Sequence, residues 1–255
     1  MIASAATRAF ALIVALLATA NAVHAAEVKA LITTAMKAAI DELVPLFERA
    51  TGNKVTVSYD PSGRLARRLR KGEPADMILI ASTELDRLIA EKKAKERTEV
   101  SRTGIGIAVK KGAPHPDVST PDALKRTLLA AKSVGQTSLS GGGITALAIQ
   151  RVFGRLGILE KVNTKIKFAK GGPNGRVSTL VASGEAEIGL QQMSELMSNP
   201  DVEVIGMLPD KLQQITINAA GITANAKEPD VARALIKHLT TPDALAIYKA
   251  KGLAL

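Results

Sequence analysis

Five short segments of this chain carry side chains suited to holding an anion. Three are turns with small polar residues: Thr33-Thr34-Ala35, Asp60-Pro61-Ser62-Gly63, and residues 138–145, where Ser138 and Ser140 lead through Gly141, Gly142 and Gly143 to Thr145. Each follows an apolar run and precedes a helical pattern. Hydroxyls and free backbone N–H groups therefore collect at helix N-termini, where the helix dipole favours negative charge. A fourth turn, residues 171–176, runs through two glycines, Pro173 and Asn174 to Arg176, and a fifth segment, Gln191-Gln192, ends an apolar run. A polar pair at that position has to find partners, and strand alternation points only one of the two into a cleft. Four loop-to-helix starts that converge would make an oxyanion or carboxylate site.

Plainer readings stand beside that one. Ser62 and Thr34 would also serve as helix caps, and the three glycines as a tightly packed turn. Arg67, Arg68, Arg70 and Lys71 read as a solvated helix face. Motifs for catalysis are missing: the chain has no GxSxG, HExxH, Walker A or GxGxxG pattern, and no cysteine. His115 lies between two prolines and His238 on a late amphipathic segment, each without a nucleophile or carboxylate at useful spacing. No catalytic residue, cofactor or metal ligand is expected.

The elements that must position these turns alternate along the chain. Strands are predicted over residues 28–32, 55–59, 77–81, 105–109, 134–137, 166–168 and 186–191, with extended segments over 202–207 and 214–219. Helices are predicted over residues 36–51, from Leu65 to Gly72, and over 83–93, 120–130, 144–156, 176–183, 229–239 and 242–251. This alternation with short connections argues for an α/β fold with mainly parallel sheets. Ligands of open α/β sheets bind at the C-terminal ends of strands, which is where the polar turns lie.

Composition narrows the function further. The 255 residues carry 34 basic and 24 acidic side chains, a net charge of +10, with no tryptophan, two tyrosines and four phenylalanines. So few aromatics disfavour sugar and base stacking. Residues 1–25 read as a secretory signal, with Arg8 ahead of an apolar run over 10–20 that is too short to cross a bilayer of about 30 Å. Cleavage is expected after Ala25, with Ala26 as the alternative. An exported chain has little occasion to meet nucleic acid, so the charge reads as suiting anionic ligands or solubility. No membrane insertion is expected.

These segments resemble a known family. The runs LITTAMKAAIDELVPLFERATGNKVTVSYDPSGRLARRLRKGEPADMILIAS, GGGITALAIQRVFGRLGI and VSTLVASGEAEIGLQQMSEL are similar to the periplasmic molybdate-type solute-binding proteins of ABC importers, over residues 28–252. The resemblance implies a two-lobed fold, with residues 26–101 plus 218–255 as one lobe, 102–217 as the other, and crossovers near Ser101-Arg102 and Gln213–Ile217. It implies a monomer in the periplasm that closes on a small anion and docks on a membrane permease. The ligand-binding residues so expected are Thr33, Thr34, Ser62, Gly63, Arg64, Arg102, Gly142, Gly143, Thr145, Asn174, Gln191 and Gln192. Ala35 stands where the family has a serine and Gln192 where it has a tyrosine, and the Ser-Asp after that tyrosine becomes Ser194-Glu195. With Arg64, Arg102 and Arg176 able to pair with carboxylates, these departures favour an organic di- or tricarboxylate over a molybdate-like oxyanion. Truncating Ser62 or Gln192 to alanine is expected to weaken binding and spare the ligand-free protein. An exported isomerase acting on an unsaturated carboxylic acid in the same cleft is the alternative, with Asp60 and Glu195 its acidic groups.

Overall fold

The computed structural model describes residues 25–139, 144–170 and 176–253. The most apolar runs become the inner strands. β1 (Glu27–Thr33) and β3 (Met77–Ala81) pair in parallel, and all five residues of β3 are buried, as a strand covered on both faces requires. β2 (Lys54–Asp60) flanks β1, also in parallel, with Val28 opposite Val55. Two further strands, β4 (Ala94–Thr103) and β10 (Thr216–Thr223), complete a sheet of order β2-β1-β3-β10-β4. The second sheet, of order β7-β6-β8-β5-β9, is built from β5 (Ile105–Lys110), β6 (Val134–Thr137), β7 (Ile166–Ala169), β8 (Ile188–Gln192) and β9 (Val202–Met207). The molecule therefore has the expected two-lobed α/β architecture. Both sheets are more evenly mixed than strand–helix alternation alone predicts. β10 runs antiparallel to β3 and β4, and β5 antiparallel to β8 and β9, because these strands carry the chain between lobes.

Helices cover both faces of each sheet. α1 (Lys37–Thr51), entered through a 3₁₀ turn at Thr34–Met36, buries Ala39, Ile40, Leu43 and Phe47 and ends at Gly52, whose φ of 75° suits glycine. α2 (Ser62–Arg70) and α3 (Ser82–Ala90) pack Leu65, Leu69, Leu85 and Leu88 on the other face. In the second lobe α4 (Pro121–Ala130), α5 (Ile144–Arg155) and the short α6 (Leu159–Asn163) share one core around Leu124, Ile149 and Phe153. Thr120 caps α4 by accepting from the Ala123 N–H at 3.1 Å. α7 (Val177–Ser183) lies on the opposite face, so close that a Cβ on Gly189 would meet Val181 at 2.6 Å. α8 (Met193–Met197) follows β8 directly, and α9 (Pro229–His238) and α10 (Pro242–Ala250) close the first lobe.

β4, α6 and α8 are absent from the sequence reading. β4 is an edge strand whose outward residues are charged: Arg97 pairs with Asp86 at 3.0 Å and Glu96 with Arg233 at 2.8 Å. Such charges protect an edge from mispairing and erase the apolar signature by which a strand is recognised. Glu96 sits at φ 63°, beside a register shift against β10.

The first crossover passes through Gly104, beyond the expected Ser101-Arg102, because β4 continues to Thr103. The second runs from the end of β9 at Met207 to Thr216. Gln213 fastens one to the other: its Oε1 accepts from the Ile105 N–H at 2.9 Å and its Nε2 donates to the Ile105 carbonyl at 3.0 Å. A side chain at Gly104 would strike the Met207 methyl group. Asp76, buried ahead of β3, accepts from the Lys29 and Lys227 N–H groups at 2.8 and 2.7 Å and from Glu228 at 3.0 Å, tying β1 to the start of α9. Among the described residues no helix is long and apolar enough to cross a membrane.

Candidate functional site

The strand ends of both sheets face one another across a small chamber of about 20 Å³. From the first lobe come Thr33 and Thr34 at the end of β1, and Pro61 and Ser62 at the start of α2. From the second come Thr137 after β6, Thr145 in the first turn of α5, Gln191 and Gln192 at the end of β8, and Glu195 in α8. Gly63, the next residue of α2 and also expected at the site, is not among the residues that line the chamber.

Ser62 does not cap its helix. Its hydroxyl donates to Thr33 Oγ1 at 3.1 Å and accepts from the Ala81 N–H at 3.1 Å, joining the ends of β1 and β3. That arrangement leaves the Thr33 hydroxyl proton for the chamber. It also corrects the expectation that Ser62 is dispensable for stability, since truncation strands a buried backbone donor. Thr34 does not cap α1 either; its side chain lines the chamber with Glu195 of the other lobe.

Gln191 and Gln192 both line the chamber, where strand alternation allowed only one. β8 stops at Gln192, whose φ of −58° and ψ of 138° turn the chain into α8 and re-aim the side chain. Gln191 Oε1 accepts from the Val177 N–H at 3.1 Å, and its Nε2 donates to Thr137 Oγ1 at 3.4 Å. Gln192 Nε2 donates to Thr145 Oγ1 at 3.2 Å and to Thr216 Oγ1 at 3.5 Å, while its Oε1 is buried without a partner among the described residues.

Glu195 is buried and lies in the chamber itself; the ligand-binding residues expected from sequence omitted it, and only the isomerase alternative named it. Burial pushes its carboxyl up from 4.5 to about 7, against the opposing pull of the Arg176 charge and of the polar Thr34 and Gln191 side chains nearby. Arg176, at the N-terminus of α7, donates from Nη1 to Ser198 Oγ at 2.5 Å, and its Nε is buried without a partner among the described residues.

The remaining expected residues fall elsewhere. Arg64 does not line the chamber: it pairs with Asp60 at 2.8 Å and reaches the Lys170 carbonyl of the other lobe at 3.4 Å, beside the cleft. Arg102 lies away from the cleft, paired with Glu99 at 3.2 Å near Tyr248 and Leu253. Alternation along β4 explains it, because Ser101 and Thr103 on either side are buried and turn Arg102 outward. Gly142, Gly143 and Asn174 lie outside the described residues. The sequence reading missed Thr137, although it ends a predicted strand like the others.

A second cavity, of about 360 Å³, shares Ile144 and Thr145 with the chamber. Ser82, Glu84 and Arg87 of α3 form one side of it and Leu147 and Arg151 of α5 the other, with Ile215 and Thr216 beside them. Arg87 is paired with Glu84 at 2.7 Å. The chamber thus offers neutral hydroxyl and amide donors, and the wider cavity adds two guanidinium groups from opposite lobes.

The family model for bacterial extracellular solute-binding proteins matches residues 28–254. Aconitate isomerase of a Pseudomonas species is 34% identical over 222 residues, 84% of this chain and 82% of that protein. The molybdate-binding protein ModA of Azotobacter vinelandii is 29% identical over 245 residues, 92% of this chain and 93% of that one. The solved structure of the periplasmic molybdate-binding protein of Azotobacter vinelandii superposes with a TM-score of 0.75 at 20% identity, covering 89% of this chain and 99% of its own. The chain belongs to the bacterial extracellular solute-binding protein family, with the fold of its molybdate-type members.

Proposed function

We propose that this protein is the solute-capturing component of an ABC importer and that it closes its two lobes on a small organic di- or tricarboxylate. The observation that carries the reading is the pairing of the neutral-donor chamber with the arginine-flanked cavity beside it. A compact oxyanion needs only the first. A polycarboxylate places one carboxylate among the hydroxyls and amides and extends another toward Arg151 and Arg87, where guanidinium forks match carboxylate geometry. In this reading the protein is exported to the periplasm, acts as a monomer, and in its closed form docks on a membrane permease. Ligand that binds the closed form better shifts the population toward it.

A thermal-shift series tests this. Tri- and dicarboxylates at about a hundred times Kd add about 2.7 kcal/mol, a rise of about 5–11 °C in melting temperature, while molybdate and tungstate add little. Stabilisation by molybdate or tungstate with silent carboxylates overturns the ligand class.

A second reading is favoured by one observation, the Glu195 carboxyl inside the chamber, and by the relative named aconitate isomerase. A carboxyl that titrates near neutrality suits general acid–base work. As a carboxylate, Glu195 would take a proton from the carbon beside an alkene; the allylic anion then takes one back at the far alkene carbon, moving the double bond with no co-reactant. Proton NMR of an aconitate isomer in D₂O separates the readings. Turnover with deuterium incorporation, lost in Glu195→Gln, makes the protein an isomerase; an unchanged spectrum at saturation leaves it a binder.

A further inference from the structure

Glu195 presents a difficulty for any anion in this chamber. Its carboxyl shares this space with the Thr33 and Thr34 hydroxyls and the Gln192 amide, the donors that would receive the ligand. Two negative charges held there at van der Waals distance repel strongly, because little water separates them. A neutral carboxyl removes the repulsion and supplies an O–H donor. We propose that Glu195 carries a proton whenever an anion occupies the chamber and donates it in a hydrogen bond to that anion, so that capture takes up one proton. The proposal rests on the anion-capture reading and adds the proton to it.

The surroundings support that role. Thr34 from the first lobe and Gln191 from the second line the chamber with the Glu195 carboxyl and favour its charged form, against the larger effect of burial. Of the elements packed on α8, the N-terminus of α7 contributes Arg176, whose charge acts on Glu195 while its Nη1 is engaged by Ser198. Other charges near α8 are spent elsewhere. Lys37, beyond the 3₁₀ turn, pairs with Asp41 at 2.5 Å, and Lys251, which faces Ser194, pairs with Glu42 at 2.5 Å. Glu203 of β9 pairs with His115 at 2.7 Å, and Lys110 of β5 is exposed at the far end of its strand. β8 contributes only the two glutamines. Burial alone holds the carboxyl near neutrality, so an incoming negative charge raises it further.

Calorimetric titration with tricarballylate and with molybdate, across about pH 6 to 8.5 in buffers of different ionisation enthalpy, tests the proposal; both probes are fully ionised over most of that range. Tricarballylate has no double bond, so turnover cannot confuse the heats. Wild-type protein is expected to take up close to one proton per ligand at the alkaline end and almost none near pH 6, with Kd rising about tenfold per pH unit above neutrality. Glu195→Gln, a permanent donor, is expected to bind with an affinity that does not change with pH and to take up no proton. Binding without proton uptake at the alkaline end overturns the proposal, as does a Glu195→Gln protein that melts like wild type yet no longer binds. Molybdate binding with proton uptake, tricarballylate being silent, sustains the proposal and removes the carboxylate. Silence from both probes removes the anion reading and the proposal together.

Discussion

The two walls of the cleft are built on opposite principles. The first-lobe wall is finished before any ligand arrives: Ser62 joins Thr33 at the end of β1 to the Ala81 amide at the end of the fully buried β3. The second-lobe wall is unfinished. Gln192 Oε1 at the chamber and Arg176 Nε at the start of α7 are buried without partners among the described residues, whereas the first lobe's Asn218 Oδ1, likewise unpartnered, lies outside the chamber lining. Glu195 sits buried with no ion pair among the described residues. Buried polar atoms are normally satisfied, and the exceptions call for an explanation. Here the difference teaches a division of labour. The first lobe supplies a general anion cradle held by its own backbone network, and the second holds the groups whose cost is recovered only when a particular ligand binds.

The largest expected effect probes the unfinished wall through pH. The Glu195 carboxyl titrates at 4.5 in the ordinary state and at about 7 in the fold. A raised folded value gives stability that is fully present below the unfolded pKa and lost as pH rises through the folded one. Ligand-free protein is therefore expected to lose up to about 3 kcal/mol from this group between pH 5 and 8, read by urea unfolding at fixed ionic strength. Glu195→Gln should flatten that slope; a wild-type protein equally stable at both ends would mean the wall carries no such strain.

Next in size is Ser62→Ala on the finished wall. It strands the Ala81 N–H and should lower ligand-free stability by about 1–3 kcal/mol, seen as a drop of about 3–10 °C in melting temperature. An unchanged melting temperature would erase the contrast between the walls. Gln192→Leu should do the reverse. The ligand-free melting temperature stays within about 2 °C, because the lost bonds are long and one buried unpaired oxygen disappears with them, while affinity for the captured anion falls about tenfold. Calorimetry on the same preparation reads both. The smallest effect belongs to Arg102→Ala, which removes an exposed pair with Glu99 and should move stability and affinity by less than about 0.5 kcal/mol. A larger loss of affinity would return Arg102 to the site.

The finished wall was also the more legible one. Strand patterns that lead into Thr33 and Ser62 deliver small polar residues to a helix start, and the structure places both in the chamber. Local pattern does not reveal that the Ser62 hydroxyl is spent on Ala81, because that bond spans 19 residues and depends on how β3 docks. The unfinished wall was read less well for the same kind of reason. Gln191 and Gln192 both enter because β8 ends in a turn, and the five-residue α8 that carries Glu195 is too short for helical periodicity to register. Arg102 was misplaced because β4, a charged edge strand, went unrecognised and with it the alternation that turns Arg102 outward. What sequence pattern conveys is the scaffold; which side chains cross between lobes is decided by tertiary packing.

The most direct test of this account is a crystal structure of the protein grown with a saturating tricarboxylate near pH 6. It predicts one carboxylate in the chamber, held by Thr33 and Thr34 on one side and by Gln192 and a protonated Glu195 on the other, with the rest of the ligand directed toward Arg151. An empty chamber at saturation, or a ligand seated away from both walls, would contradict it.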